Sequence, residues 1–192
     1  MPVFSAYKGG ISYSIPIEYK NLSESELKTK ADKYFYLANQ VDDGVVKAET
    51  TNALVLYSIL QHVNPQSAEY YVRAGILYDK IKKDRYAKGC FSSAISVEPS
   101  KPESYFYFGE FYYKRGQYRQ ALRYYTRALE NSVTPQYDLY YKLGDIYEKF
   151  GDTKNALKYL KLANEQSPNE KLDAKIKRTE SFDSINKMYY RD

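Results

Sequence analysis

The chain repeats itself. Ala87 and Ala121 stand 34 residues apart, and so do Tyr71 and Tyr105, Gly75 and Gly109, Tyr78 and Tyr112, and Ala94 and Ala128. After one inserted residue the pattern returns as Tyr140, Leu143, Gly144, Tyr147, Gly151, Ala156, Ala163 and Pro168. A period of this size marks one supersecondary unit that cannot bury its apolar face alone and must stack on copies of itself. Residues 102–135 show the unit most plainly. Tyr105, Phe108 and Tyr112 fall at helical spacing on one side of Lys114-Arg115-Gly116-Gln117, and Ala121, Tyr125 and Ala128 do so on the other. Gly116 suits the left-handed residue that ends a helix, and the small residues Gly109 and Ala121 let two helices approach closely.

With Tyr71, Ala74, Gly75, Tyr78, Ala87, Phe91, Ala94 and Pro99 at their places in one such unit, the chain resembles the tetratricopeptide repeat. Tyr stands where that family usually carries Trp. The resemblance implies an all-α solenoid, a right-handed superhelix of helix-turn-helix repeats closed by a C-terminal capping helix.

The chain then divides into an extended N-terminal segment, 1–22, a single repeat domain, 23–186, and a frayed tail, 187–192. Within the domain a divergent repeat at 24–66 precedes repeats at 68–101, 102–135 and 137–170 and a capping helix at 170–186. Ser23-Glu24-Ser25-Glu26 is a capping box. The first helix should run past Val41 to Asp42-Asp43-Gly44. Ala53 is in register with Ala87, whereas the first helix is displaced by about three residues. Thr134-Pro135 reads as a helix start, and the turn Lys82-Lys83-Asp84, lacking glycine, as a weaker cap. Leu172, Ile176 and Ile185 give the last helix an apolar side, with Lys171, Lys175, Lys177 and Arg178 facing water. Ahead of the repeats, Ile11, Tyr13, Ile15, Ile17 and Tyr19 alternate with polar residues and Pro16, a strand signal. That segment either is a tail, disordered or draped over the first hairpin, or lies in a groove, its own or a neighbour's.

Composition narrows the function. With 28% charged and 43% hydrophobic residues the chain is globular, and no apolar run approaches the ~20 residues of a membrane span. The N-terminus lacks the basic start and apolar block of a secretory signal, so a cytoplasmic home is the expectation. One histidine, His62, and one cysteine, Cys90, offer no metal-ligand spacing; Cys90, beside Phe91, reads as a small buried hydrophobe. No phosphate loop, dinucleotide fingerprint or paired catalytic carboxylates stand out, so neither an enzyme nor a cofactor or metal site is expected.

The resemblance implies that the first helix of each repeat lines a concave surface. Its lining positions here are Phe35, Asn39, Val72, Ile76, Phe106, Glu110, Tyr113, Tyr141, Asp145 and Glu148, with Glu69, Asp79, Lys80, Glu103, Lys114, Asp138 and Lys149 among them. An aromatic floor with interleaved carboxylates points to a protein or peptide partner carrying apolar anchors and Lys or Arg. The carboxylate clamp of some family members is not reproduced at the matching places. The implied function is a non-catalytic adaptor, scaffold or chaperone-like module. The alternatives are self-assembly of copies through residues 1–22 and binding of nucleic acid or an anionic membrane by a convex basic ridge. That ridge would hold Arg85, Arg119, Arg123, Arg127, Lys154, Lys158 and Lys161; it ranks below peptide binding.

Overall fold

A computed structural model describes residues 15–40, 42, 44, 47–132 and 137–189. Among these, one 3-10 turn, Ile17–Tyr19, precedes α1 (Glu24–Asn39), α2 (Ala48–Val63), α3 (Ala68–Lys80), α4 (Asp84–Val97), α5 (Pro102–Tyr113), α6 (Tyr118–Asn131), α7 (Tyr137–Lys149), α8 (Thr153–Gln166) and α9 (Glu170–Tyr189). Consecutive helices pair as α1–α2, α3–α4, α5–α6 and α7–α8, and α9 packs on α8. The odd-numbered helices also touch one another, α1 on α3 and α3 on α5, so they form one inner layer. This is an all-α solenoid of helix pairs.

The packing rule of each pair is small against large. A methyl group added at Gly75 would lie 2.7 Å from the Phe91 ring, one at Gly109 2.6 Å from Tyr125, and one at Gly144 2.8 Å from Leu160. These three large side chains are buried in the helix pairs they close, and only a residue without a side chain leaves room for them. Ala87, Ala121 and Ala156, one helical turn before them, are buried too. Tyr112 stacks on Tyr124 and Tyr147 on Tyr159, each pair within 4° of parallel. Such ring pairs add about 0.5–1.5 kcal/mol beyond burial.

The inter-helix turns are made alike. Lys83 N donates to Tyr78 O at 2.8 Å, Gln117 N to Tyr112 O at 3.0 Å, and Asp152 N to Tyr147 O at 3.0 Å. Each closes a Schellman cap around a left-handed residue. Two of those residues are glycines, Gly116 and Gly151; the third is Lys82, with φ 59°. The glycine-free turn is therefore capped as sharply as the others, with lysine in a conformation that disfavours L side chains.

The ends of the chain depart from the sequence reading. The capping box at Ser23 and Glu26 forms, and α1 ends at Asn39 with Gln40 as its C-cap; Val41 lies outside the described residues. The strand expected from the N-terminal alternation does not form where it can be seen. Ile17 is 82% exposed, while Ile15, Tyr19 and Leu22 pack on the core of the first repeat. Residues 1–14, and with them Ile11, Tyr13 and the rest of that segment, lie outside the described residues, as does the start expected at Thr134-Pro135. At the other end α9 runs on to Tyr189 rather than stopping at 186, and Ile185 is exposed beside Phe182 and Met188. Lys175, expected in water, is turned inward with 15% of its side chain exposed.

Candidate binding groove on the inner helices

On the inner layer five of the acids at the expected lining positions, Glu69, Asp79, Glu110, Asp145 and Glu148, bond to a neighbouring inner helix or the turn after it. Lys28 of α1 reaches Glu69 of α3 at 2.9 Å. Asp79 of α3 receives Lys114 at 3.0 Å and Arg115 at 2.8 Å, from the end of α5 and the turn after it. Glu110 of α5 takes Lys142 of α7 at 3.0 Å, and the buried Tyr125 hydroxyl donates to the same carboxylate. Asp145 and Glu148 of α7 take Lys175 of α9, at 2.5 Å and 3.1 Å, and Arg178 adds a bond to Glu148 at 2.8 Å. The result is a ladder of ion pairs stepping from each inner helix to the next.

The ladder tightens towards α9. Burial pushes the Asp145 carboxyl up, but the Lys175 and Tyr113 donors outweigh burial and hold it below the usual carboxylate range. Glu148 is held down in the same way, burial being outweighed by Arg178 and Lys175. Burial also lowers the Lys175 ammonium, and its two carboxylates raise it further. Because each charge is half enclosed, removing a partner leaves its mate uncompensated.

The ten lining residues therefore divide. Val72, 5% exposed, belongs to a core cluster with Ala68 and Ala94. Phe35 packs edge-on to Tyr57 and lies beneath the Arg73 guanidinium, 4.6 Å from its ring centre. Asn39 is exposed and bonds back to Phe35 O at 2.9 Å. Tyr113 and Tyr141 are half buried beneath Lys142 and Lys175, at 4.2 and 5.0 Å, and Tyr113 donates to Asp145. Asp145 and Glu148 serve the ladder. Ile76, Phe106 and Glu110 come together, one from α3 and two from α5, around a hollow of about 330 Å³ that Tyr107, Lys114, Asp138 and Lys142 also line. A second hollow of about 210 Å³, lined by Glu103, Phe106, Tyr107, Ala128, Ser132 and Asp138, opens beside it.

Tyr107 was not among the expected lining residues. It sits next to Phe106, edge-on at 5.4 Å, and its only sequence signal was being an aromatic outside the repeat signature. The bases of the ladder were visible in the sequence but not their targets, because the separation between partners ranges from 30 residues to 41.

On the opposite layer Arg85, Arg119, Arg123, Lys154 and Lys158 are exposed, while Arg127 pairs with Glu130 and Lys161 with Glu180. His62 is exposed. The Cys90 thiol is half buried, and burial pushes it up to about 12, so it stays protonated near neutrality. Among the described residues no cluster of His, Cys, Asp and Glu could hold a metal, and no helix is long and apolar enough to cross a membrane.

A tetratricopeptide-repeat family model matches residues 108–171. The fold is similar to that of YrrB, described as a TPR protein with an unusual peptide-binding site, at 24% identity and TM-score 0.56, over 59% of this chain and 58% of YrrB. It is also similar to Pseudomonas aeruginosa PilF, at 15% identity and TM-score 0.64 over 80% of this chain and 69% of PilF. MamA gives 18% identity and TM-score 0.52 over 73% of this chain and 92% of MamA. No curated protein sequence matches the chain.

Proposed function

Since the chain is a tetratricopeptide-repeat solenoid, and as such a protein-interaction module, we propose that it is non-catalytic and holds a peptide segment of a partner protein on its inner helices. The observation that carries this reading is the hollow at the centre of the inner layer. α3 and α5 line it with Ile76, Phe106 and Tyr107, and α7 with Asp138 and Lys142; of the charges around it, Asp79 and Lys114, and Glu110 and Lys142, are already bonded to one another. A ligand side chain entering there displaces water from Ile76 and Phe106 without having to break the ladder. Its volume suits one large side chain, so affinity must come from several such contacts along the groove. YrrB, a protein of similar fold described as having an unusual peptide-binding site, is in keeping with peptide binding by such a fold.

The test is selection of binders from a random-peptide phage library on the full chain, followed by measurement on Ile76→Glu and Phe106→Ala. Selected peptides should lose about tenfold or more in affinity on either variant, the equivalent of one lost anchor. Peptides that bind both variants as tightly as the parent would place the site elsewhere.

A further inference from the structure

We propose that the groove selects a peptide in which an arginine or lysine stands next to an aromatic or large aliphatic residue, with Glu103 and Asp138 receiving the cation. The inference rests on the groove reading above and makes it specific. The ladder takes up Glu69, Asp79, Glu110, Asp145 and Glu148, so those acids cannot select a charged ligand without being released first. Glu103 and Asp138 stand outside it. Both are exposed, in the first turns of α5 and α7, and both line the smaller hollow.

Their local partners are committed elsewhere. Lys142, one turn after Asp138 and well placed for an i,i+4 pair with it, is bonded across the groove to Glu110. Lys101, two residues before Glu103, is bonded to Glu98 at 3.2 Å. Residue 107, one turn after Glu103, is a tyrosine. Complementing the helix dipole, which acids in a first turn do, leaves their carboxylate oxygens free to accept.

The two hollows share Phe106, Tyr107 and Asp138. An apolar ligand side chain in the larger one therefore places its neighbour at the smaller one, between two carboxylates and beside two rings. A guanidinium suits that place best, since it can bond both acids at once and lie against an aromatic face. A ligand acid there would meet two like charges.

Three otherwise identical Gly-Ser-flanked peptides with a central Arg-Phe, Gln-Phe or Glu-Phe pair test this on the full chain, with dissociation constants read by NMR titration. Arg-Phe should bind about tenfold tighter than Gln-Phe, and Glu-Phe weakest. The isosteric double variant Glu103→Gln/Asp138→Asn should bring Arg-Phe down to the Gln-Phe level and leave Gln-Phe unchanged. Removing the same charge from the outer helices, with Glu130→Gln/Glu165→Gln, should leave the preference intact. Equal binding of the three peptides, no binding of any, a preference that survives in the first double variant, or its loss in the second would each overturn the inference. None of these results touches the broader groove reading, which fails only if library-selected peptides ignore Ile76→Glu and Phe106→Ala.

Discussion

The gap between α5 and α7 and the gap between α7 and α9 are built from the same parts and end differently. In both, a lysine of the later helix crosses to a carboxylate of the earlier one, Lys142 to Glu110 and Lys175 to Asp145. At the second gap Arg178 adds its bond to Glu148 and Thr179 is buried against the same carboxylate, so the hollow of about 590 Å³ there is walled largely by the ladder's own charges, Glu148, Lys149 and Arg178, with Thr179 and Phe182. At the first gap the place of Glu148 is taken by Tyr113, whose hydroxyl turns forward to Asp145, and the hollow there has Ile76, Phe106 and Tyr107 in its wall. Charge on an inner helix is thus a stacking device. The recognition proposed above rests on residues that stacking does not use.

That contrast can be broken in order of expected effect. Lys175→Met leaves Asp145 and Glu148 half enclosed without their main cation and should cost roughly 2–4 kcal/mol, seen as a lower denaturation midpoint and as faster amide exchange across α9. Lys142→Met should cost less, about 1–2 kcal/mol, because Glu110 keeps the Tyr125 hydroxyl. Equal costs at the two sites would erase the distinction between a gap tied by two cations and one tied by a single lysine.

Acid sharpens it further. Asp145 and Glu148 are held below the ordinary carboxylate range, so their contribution is complete above about pH 4–5 and drains away as pH falls through their folded values. Lys175, held above its ordinary value, contributes fully below about pH 10 and loses its share as pH rises beyond that. Amide exchange in α9 should therefore accelerate on acidification before exchange in α3 and α4 does. Asp145→Asn should flatten that dependence. Uniform acceleration along the chain would count against a weak end governed by these carboxylates.

The smallest effect concerns the turns. Lys82→Gly relieves a left-handed lysine where two other repeats use glycine and should stabilise by about 0.5–1 kcal/mol, the steric gain less the entropy of glycine. A loss of stability would mean that the lysine side chain does more there than strain costs.

These outcomes follow the line between what the residue pattern revealed and what it did not. The repeat was legible because its signature is steric. Gly75, Gly109 and Gly144 recur where large side chains must fit, and no other residue type serves. The N-terminal segment misled because Ile15, Ile17 and Tyr19 alternate, yet Ile15, Tyr19 and Leu22 also fall at i, i+4 and i+7. The second spacing is the one that packs. Val72 occupies a lining position of the family but is buried here among Ala68 and Ala94. The carboxylates of the lining positions were legible on the first helix of each repeat, but a carboxylate's partner on the next helix is set by three-dimensional reach, which residue spacing does not encode.

The proposal stands or falls on ligand contact being confined to the hollow beside Ile76 and Phe106. Methyl NMR of the full chain titrated with a library-selected peptide tests it directly, because Ile76 lines the hollow and Ile176 is buried in α9. The account predicts that the Ile76 δ1 methyl shifts on binding while that of Ile176 stays in place. A shift at Ile176 with Ile76 unmoved would contradict it.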